Sequence, residues 1–583
     1  MPNISELRVM DNDMTTTATS SFEAEKKRGP EAVPASGPTS TYDLQHHDNT
    51  NNSAELHTEK IDHHSTADDD TTMYPSGFKL AVIVLSLILA IFLASLDMTI
   101  VATAIPKITD EFKGLSDVSW YGSAFFLTNG GFQSSWGKAY KYFPLKYTFL
   151  AAIFVFELGS LVCGVAPTSP ALIIGRAITG IGAAGMGTGA YTIIAFVAPP
   201  RQRSMYLGIV GVAYGIASAV GPLLGGVFAD KVSWRWCFYI NLPIGGLSAL
   251  MIFFFFQAPD AAKPTVVSWT EKLLQMDFLG VAMIMGALLS YVLALQYAGV
   301  SAAWNSSVVV GLLVGFVLIL VAFGIWEFFQ GERAMIVPRL FIQRPIGTAC
   351  LFTLFFSGPC FLVIYYLPIY FQSVFNVSPT MSGVNNLPLI IAISIAMISS
   401  GAFVSATGLA APVMLASAAI AMIASGLLYT LDVDTSTGKW IGYQILGGVA
   451  WGMAWQLPII VGQASATPSD ISTVTAMILF FMNFGGTTFV SAAQAAFVNT
   501  ILNTIPSSAP AVDPITVVDT GATQIRTMFP AEQVAGIVSA YMSGIKIAFA
   551  ISIGATGLAC VTSLLCRWKR LSVDAAKSGG GAA

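Results

Sequence analysis

Residues 78–106 read FKLAVIVLSLILAIFLASLDMTIVATAIP, a long and largely apolar segment. A helix of about 20 apolar residues is long enough to cross a hydrocarbon core of roughly 30 Å. Between Lys79 and Lys107 the segment contains one charged residue, Asp97. The segment therefore predicts a membrane-spanning helix that carries a carboxylate within the bilayer.

The remainder of the chain repeats this apolar pattern. Of its 583 residues, 54% are hydrophobic and only 10% are charged, and the mean hydropathy is +0.69. Soluble domains contain about 25% charged residues. We count fourteen apolar runs separated by short polar loops. The fold class predicted is an all-α polytopic membrane protein with 14 transmembrane helices.

The first 76 residues differ from this pattern. They are rich in Ser, Thr, Asp and Asn, which cannot bury a core, so we expect a disordered tail. Metal binding by its histidines is the alternative to a solvated linker; the tail holds all five histidines of the chain, His46, His47, His57, His63 and His64. Any proton that moves through the membrane region must therefore be carried by carboxylates.

Several function classes are excluded by composition. No segment matches the phosphate-loop pattern GxxxxGK[ST], and no basic surface for nucleic acid is evident. The six cysteines lie in or beside apolar runs, as buried small hydrophobic residues do. No nucleophile–base pair or metal-ligand spacing appears. We expect no enzyme, no cofactor and no metal.

The loops give an orientation. An even number of spans places both termini on one side, and Lys and Arg favour the loops on that side by about two to one, which predicts that it is cytoplasmic. The tails 1–76 and 567–583 are then cytoplasmic. Asn305 and Asn376 begin glycosylation sequons in outer loops, and the polar range 500–540 is expected to be an outer loop.

Three charged residues fall inside predicted spans: Asp97 in the first, Glu157 in the third and Arg176 in the fourth. Counting from the helix ends at 1.5 Å per residue, all three lie roughly 8–12 Å below the outer surface. Charges within the membrane commonly mark ion or substrate pathways. Two interpretations remain open: a structural ion pair that fixes packing, or a protonation switch.

The fourth and fifth spans are rich in glycine. The fifth reads GIASAVGPLLGG over 215–226. Small residues allow helix backbones to approach closely, and proline permits a bend. Static packing is one interpretation, and a moving interface beside the charged level is the other.

Together these segments resemble the major facilitator superfamily, in its fourteen-helix drug:proton antiporter branch. LDMTIVATAIP is similar to the first-helix motif of that branch, with Asp97 at the acidic position, and LIIGRAITGIGAAG to the fourth-helix motif, with Arg176 as its buried arginine. The fifth-helix segment is similar to the antiporter motif of the family, at Gly215, Gly221, Pro222, Gly225 and Gly226. The segment WRWCFYINLPIGG at 234–246 is typical of the branch, and residues 365–389 look like fungal mycotoxin and multidrug efflux pumps.

One loop departs from the family pattern. The family usually has GxLADRxGRK between helices 2 and 3, whereas residues 137–146 read GKAYKYFPLK. Lys141 stands at the acidic position, which puts the usual inner salt network in doubt. Gly137, Lys138 and Lys146 still suit a positively charged inner turn.

The resemblance implies two six-helix bundles, over 77–257 and 346–566, around a central cavity. Two extra helices lie between them in 258–345. Such bundles rock about a site near the midplane. Polar and aromatic residues expected to face the cavity are candidates for substrate contact, although helix–helix hydrogen bonding is an equal alternative; they are Gln133, Tyr214, Tyr365, Gln372, Asn386, Trp455, Gln456, Gln463 and Asn483.

The function implied is proton-coupled efflux of a small amphipathic organic compound, such as a mycotoxin, a secondary metabolite or a drug. Asp97, Glu157 and Arg176 would couple transport to protons, and the proton gradient would replace any cofactor. We expect a monomer in the plasma membrane, with a vacuolar or vesicular membrane as the alternative. The other functions considered are a siderophore or vacuolar amino-acid transporter of the same superfamily and, more remotely, a non-transporting sensor.

Overall fold

The computed structural model describes residues 74–112, 118–199, 202–520, 522, 524–568 and 570. This part of the chain is helical and contains no strand. In chain order, the first eleven helices are α1 (Gly77–Phe112), α2 (Val118–Tyr142), α3 (Leu145–Gly164), α4 (Ser169–Val197), α5 (Arg203–Lys231), α6 (Trp236–Tyr239), α7 (Asn241–Phe255), α8 (Trp269–Leu274), α9 (Phe278–Tyr297), α10 (Ser307–Gln330) and α11 (Pro338–Phe341). They are followed by α12 (Arg344–Ser373), α13 (Pro379–Asn385), α14 (Leu387–Thr407), α15 (Ala410–Tyr429), α16 (Thr437–Ala454), α17 (Leu457–Ser465), α18 (Ile471–Ser508), α19 (Pro514–Asp519), α20 (Ile525–Met528) and α21 (Ala531–Leu564).

Twelve helical segments in the described part are long and apolar enough to cross a membrane. The helices α2 and α5, with 25 and 29 residues, are also long enough but are not among the twelve. The polar side chains of α2, including Gln133, Lys138 and Lys141, lower its mean hydropathy. The all-α polytopic membrane fold is thus confirmed. Fourteen membrane crossings are compatible with these helices and stay a prediction.

The long helices pack in two groups. In the first group α4 contacts α2 and α3, while α1 contacts α5 and α7. In the second group α21 contacts α12, α15 and α18, while α14 contacts α16. The groups meet along two seams, α2 against α18 and α5 against α14. We call these groups the first and second halves; the domain boundaries predicted from the sequence remain predictions.

The helices α9 and α10 lie beside one of these seams. α9 contacts both α2 and α18, whereas α10 packs chiefly on α9 and exposes most of its side chains. An apolar helix with most of its side chains exposed is suited to contact with lipid. Of the two helices, α9 therefore packs against the halves, and α10 lies on the side of α9 that faces the bilayer.

The two ends of the helix bundle are called the first face, where α1 begins at Gly77, and the second face, where α1 ends. At the first face Lys79 donates a hydrogen bond to the Gln257 side chain, 2.9 Å away. At the second face Arg235 bonds Glu111 over 2.8 Å. Hydrogen bonds from Arg235 and, secondarily, Trp234 lower the pKa of the Glu111 carboxyl. These contacts join α1 to α7 and α6 at opposite ends.

The range 500–540, expected to be an outer loop, begins and ends within long helices, and its place on the outer side of the membrane stays a prediction. α18 continues to Ser508 and α21 begins at Ala531, with the short helices α19 and α20 between them. The hydroxyls of Thr500 and Thr504 each donate a 2.7 Å hydrogen bond to the carbonyl four residues earlier. Polar residues of this kind satisfy their hydrogen bonds within a helix, so polarity alone does not end it.

The two predicted glycosylation sites lie at loop positions. Asn305 and Asn376 are both exposed. Asn376 has a positive φ of 54°, which asparagine tolerates better than most residues. Glycosylation at either site remains a prediction.

Close helix packing gives the first testable prediction. A methyl group on Gly182 of α4 would overlap the backbone of Phe156 in α3, whereas one on Gly246 of α7 would meet nothing within 4 Å. We expect Gly182→Leu to destabilise the protein by about 1–3 kcal/mol, because overpacking displaces backbone. Thermal denaturation followed by size-exclusion chromatography should show a lower midpoint for Gly182→Leu and little change for Gly246→Leu. Equal midpoints for the two variants would contradict close α3–α4 packing.

Candidate functional site

Asp97 and Arg176 form a direct salt bridge between α1 and α4. Both side chains are almost completely buried, at 0% and 1% exposure. Nε of Arg176 also donates to the carbonyl of Tyr121, 2.8 Å away, and the guanidinium lies 4.6 Å from the centre of the Phe125 ring. The prediction that these two charges share one depth is therefore supported by a direct contact. Losing one member of a buried pair leaves an uncompensated charge, which costs about 3–5 kcal/mol.

Asn241 completes this cluster and was not singled out from the sequence. It is the first residue of α7, directly after the break that follows α6. Its Nδ2 donates to Oδ1 of Asp97 over 3.2 Å and to the hydroxyl of Ser160 over 3.1 Å. Asp97 is thus held by Arg176 on one oxygen and by Asn241 on the other. The sequence feature that could have indicated its role was a single amide side chain within the apolar segment INLPIGG.

Glu157 lies near this cluster on α3 but joins no ion pair in the described part of the chain. Both carboxylate oxygens are buried without a hydrogen-bond partner there. The carboxylate lies so close to Gly245 of α7 that a methyl group at that glycine would overlap it. Glu157 therefore differs from Asp97: the sequence placed them at one depth, and only Asp97 is paired with Arg176.

The glycine-rich motif of α5 packs beside the Asp97 segment. A methyl group on Gly221 would overlap the side chain of Thr99, two residues after Asp97, while one on Gly215 would touch Ser394 of α14 in the other half. Gly225 is buried, and Gly226 has open space around its Cα. Pro222 lies within α5, and its side chain is outside the described part.

The glycines of α4 pack against α2 and α3. Gly175 faces Cys163 of α3, and Gly185 faces Trp136 of α2 and Ala152 of α3. The helix α4 therefore uses its glycines against α2 and α3 rather than against α5. Small residues in α5 instead connect α1 with α14, which places them on a seam between the halves.

At the first face, Lys141 bonds Asp470 across the seam between α2 and α18, over 2.8 Å. Asp470 immediately precedes α18, is nearly buried, and also accepts a 3.0 Å hydrogen bond from Arg339 beside α12. Asp470 was not predicted. Lys141 stands where the family pattern has an acidic residue. This basic side chain of α2 therefore forms an ion pair that links the two halves.

The other predicted inner-turn residues also make contacts at the first face. A methyl group on Gly137 would overlap Ala476 of α18. Lys138 is buried and donates to the Glu332 carbonyl and, over 3.3 Å, to the Gln275 side chain. Lys146 donates to the Phe253 carbonyl within the first half. At the first face, α2 and α18 are therefore in close contact.

A cavity begins farther along the same seam, on the second-face side of Gln133. Of the predicted substrate contacts, Tyr365 and Asn483 line it, and Met98, which follows Asp97, lines it too. The described lining residues include no charged side chain. A smaller apolar cavity between α5, α12 and α14 is lined by Tyr214 and Trp455, whose rings are 6.2 Å apart.

Four of the remaining candidates make helix–helix hydrogen bonds. Gln133 donates to Thr188 over 2.7 Å, Gln456 to the Tyr191 hydroxyl over 3.2 Å, and Gln463 to Thr475 over 2.9 Å. Gln372 donates to Ser382 over 2.9 Å. Asn386 is buried at the start of α14, and its Oδ1 has no hydrogen-bond partner in the described part of the chain. Substrate contact by these five residues stays a prediction.

Comparison with known proteins identifies the class. The sequence model of the Major Facilitator Superfamily matches residues 87–490. The chain belongs to this family of membrane transporters, whose members bind small-molecule substrates and are not enzymes. It is a multi-pass membrane transporter.

Its relatives include named fungal transporters. The MFS-type transporter grgE of a Penicillium species is 55% identical over 88% of this chain and 90% of that protein. The probable efflux pump gsfJ of Penicillium aethiopicum is 50% identical, over 90% and 94% of the two chains. The MFS-type efflux pump MFS1 of Trichophyton rubrum is 41% identical, over 86% and 94%. The fungal character predicted from the sequence is confirmed.

Solved structures share the fold at low sequence identity. The human organic anion transporter MFSD10 aligns with a TM-score of 0.53 and 13% identity, covering 83% of this chain and 100% of that one. The proton:xylose symporter XylE also gives 0.53 and 13%, covering 84% and 98%. These similarities support the architecture alone.

Proposed function

We propose that this chain exports a small amphipathic organic compound in exchange for protons. The observation that carries the proposal is the buried Asp97–Arg176 pair, because Asp97 directly precedes Met98, a residue of α1 that lines the cavity. The names of the fungal relatives support the direction of transport.

The coupling step follows from the contacts of Asp97. When a proton binds Oδ2 of Asp97, the ion pair with Arg176 loses its charge attraction, while Oδ1 can still accept the hydrogen bond from Asn241. Helix α1 is then free to move against α4. Because Gly221 of α5 packs on Thr99, movement of α1 is transmitted to the α5–α14 seam.

Glu157 is proposed as a second proton carrier. Its buried oxygens have no described partner, and an unpaired charge in that position is costly. Ser160, one helical turn away, shares Asn241 with Asp97. The described hydrogen bonds do not connect the two carboxyl groups, so each is proposed to take up its proton separately.

The energy for export comes from the proton gradient, without a further cofactor. Each charge that crosses the membrane gains about 2.3 kcal/mol per 100 mV of membrane potential. We place both termini in the cytoplasm, the protein in the plasma membrane and its working unit as a monomer. The uncharged cavity lining favours this function over transport of basic amino acids.

Two successive experiments test the substrate and the coupling to protons. A deletion strain of the source fungus should retain, and become sensitive to, a compound that the parent strain releases. In proteoliposomes with purified protein, that compound should move against its gradient when an opposing proton gradient is imposed, and a protonophore should stop it. Transport that is indifferent to the proton gradient would contradict the proposal.

A further inference from the structure

The cavity has a wall that neither half supplies. Helices α1 and α2 line it from the first half, and α12 and α18 line it from the second. A fifth side is formed by α9, through Leu288, Leu289, Val292, Leu293 and Gln296. These positions recur at intervals of three, four and eight residues, so they occupy one face of the helix.

Hydrogen bonds hold α9 in this place at three levels. Near the first face, the Ser135 hydroxyl of α2 donates to the Met276 carbonyl, just before α9, over 2.9 Å. In the middle, the Tyr291 hydroxyl donates to the Thr488 carbonyl of α18 over 3.1 Å. Near the second face, Asn499 of α18 donates to the Ala298 carbonyl over 3.0 Å. The helix is therefore fixed across the seam between α2 and α18.

The chemistry of the cavity differs from side to side. The α9 wall is aliphatic except at Gln296, near the second face, while aromatic rings at Trp120, Phe126 and Tyr365 come from the halves. The halves also supply the uncharged polar residues Ser123, Asn483, Thr487 and Ser491. None of the described lining residues is charged. Flat apolar ligands gain most of their affinity from contacts of this kind, and a single polar group fixes their orientation.

We infer that α9 is part of the substrate site and selects neutral, flat, largely apolar compounds with one polar end. The apolar body lies between the α9 aliphatic stripe and the aromatic rings of the halves, and the polar end lies by Gln296. This inference rests on the proposed function for its meaning, but binding at α9 can be tested without transport.

The test uses 4-(hydroxymethyl)benzophenone, a neutral photoreactive probe, on purified protein in lipid nanodiscs, with labelled peptides mapped by mass spectrometry. We expect labelling of the α9 stripe that excess 4-(hydroxymethyl)biphenyl removes, whereas labelling of the exposed α10 surface should persist. Labelling of α9 that the competitor does not reduce, or no labelling of α9, would overturn the inference.

Three variants locate the effect. Leu289→Trp fills the wall and should abolish competable labelling of α12 and α18, while Leu289→Ala should preserve it. Leu318→Trp adds the same ring to the exposed side of α10, where Leu318 is 62% exposed, and should change nothing. Equal labelling in both Trp variants would also overturn the inference. Competable labelling of α9 without export would instead contradict the proposed function alone.

Discussion

Asp97→Asn is expected to reduce proton-driven export to the level of vesicles without the protein. Asparagine keeps the shape of the side chain, but it can neither carry the proton nor balance the charge of Arg176. The Arg176 side chain is 1% exposed, so water does not compensate this charge. The uncompensated guanidinium also destabilises the protein by about 3–5 kcal/mol. The measurement is substrate movement under an imposed proton gradient, with the amount of folded protein quantified in the same vesicles.

The double variant Asp97→Asn/Arg176→Gln separates coupling from stability. It removes both charges, so the penalty of an unpaired buried charge disappears and the thermal midpoint should recover. Export should remain absent, because no carboxylate is left at that position. Proton-driven export by the double variant at the wild-type rate would show that the pair is structural and would end the proposed mechanism.

Reversing the charge of Lys141 should have the second largest effect. Lys141→Asp places two carboxylates at the α2–α18 seam in place of the 2.8 Å pair with Asp470. The conformation in which the two halves are closed at the first face then loses its main ion pair. The population therefore shifts toward conformations that are open at that face. We expect export to fall by about tenfold or more, which corresponds to about 1.4 kcal/mol.

The shift can be observed directly with a cysteine at Ser472, which is buried at this seam. In a background without the native cysteines, a membrane-impermeant maleimide should label it faster in Lys141→Asp than in the parent protein. Lys146→Asp is the matched control, because the hydrogen bond that Lys146 makes in the described part of the chain lies within the first half. The exchange Lys141→Asp/Asp470→Lys should restore slow labelling in part, since Arg339 also faces position 470. No recovery would contradict a role for the pair itself.

The sequence was sufficient for features that depend on distance along a helix. Asp97 and Arg176 could be assigned to the same depth in the membrane. The constant rise per residue of a helix converts the position of a residue in its span into a depth. Gly137 and Lys138 could be assigned to one helix end for the same reason. The family and the helical membrane fold followed from apolar run length and from local motifs.

Features that depend on rotation about a helix axis, or on contacts between distant segments, could not be predicted. Glu157 has the depth of Asp97 but faces Gly245 of α7. Asn241 and Asp470 are ordinary polar residues in the sequence, and they acquire their roles from Asp97 and Lys141, at 144 and 329 positions away. The same limitation explains why the sequence left open whether Gln133 and Gln463 face the cavity or join helices.

The position of α9 also has a kinetic consequence. One end of this helix is bonded to α2 and the middle and other end are bonded to α18. If the halves rock against each other, α9 can follow only one of them, and its bonds to the other must break and reform in every cycle. The added pair of helices therefore contributes its own activation barrier to turnover. Shortening or loosening its attachments should change the rate of the conformational step even when affinity for the substrate is unchanged.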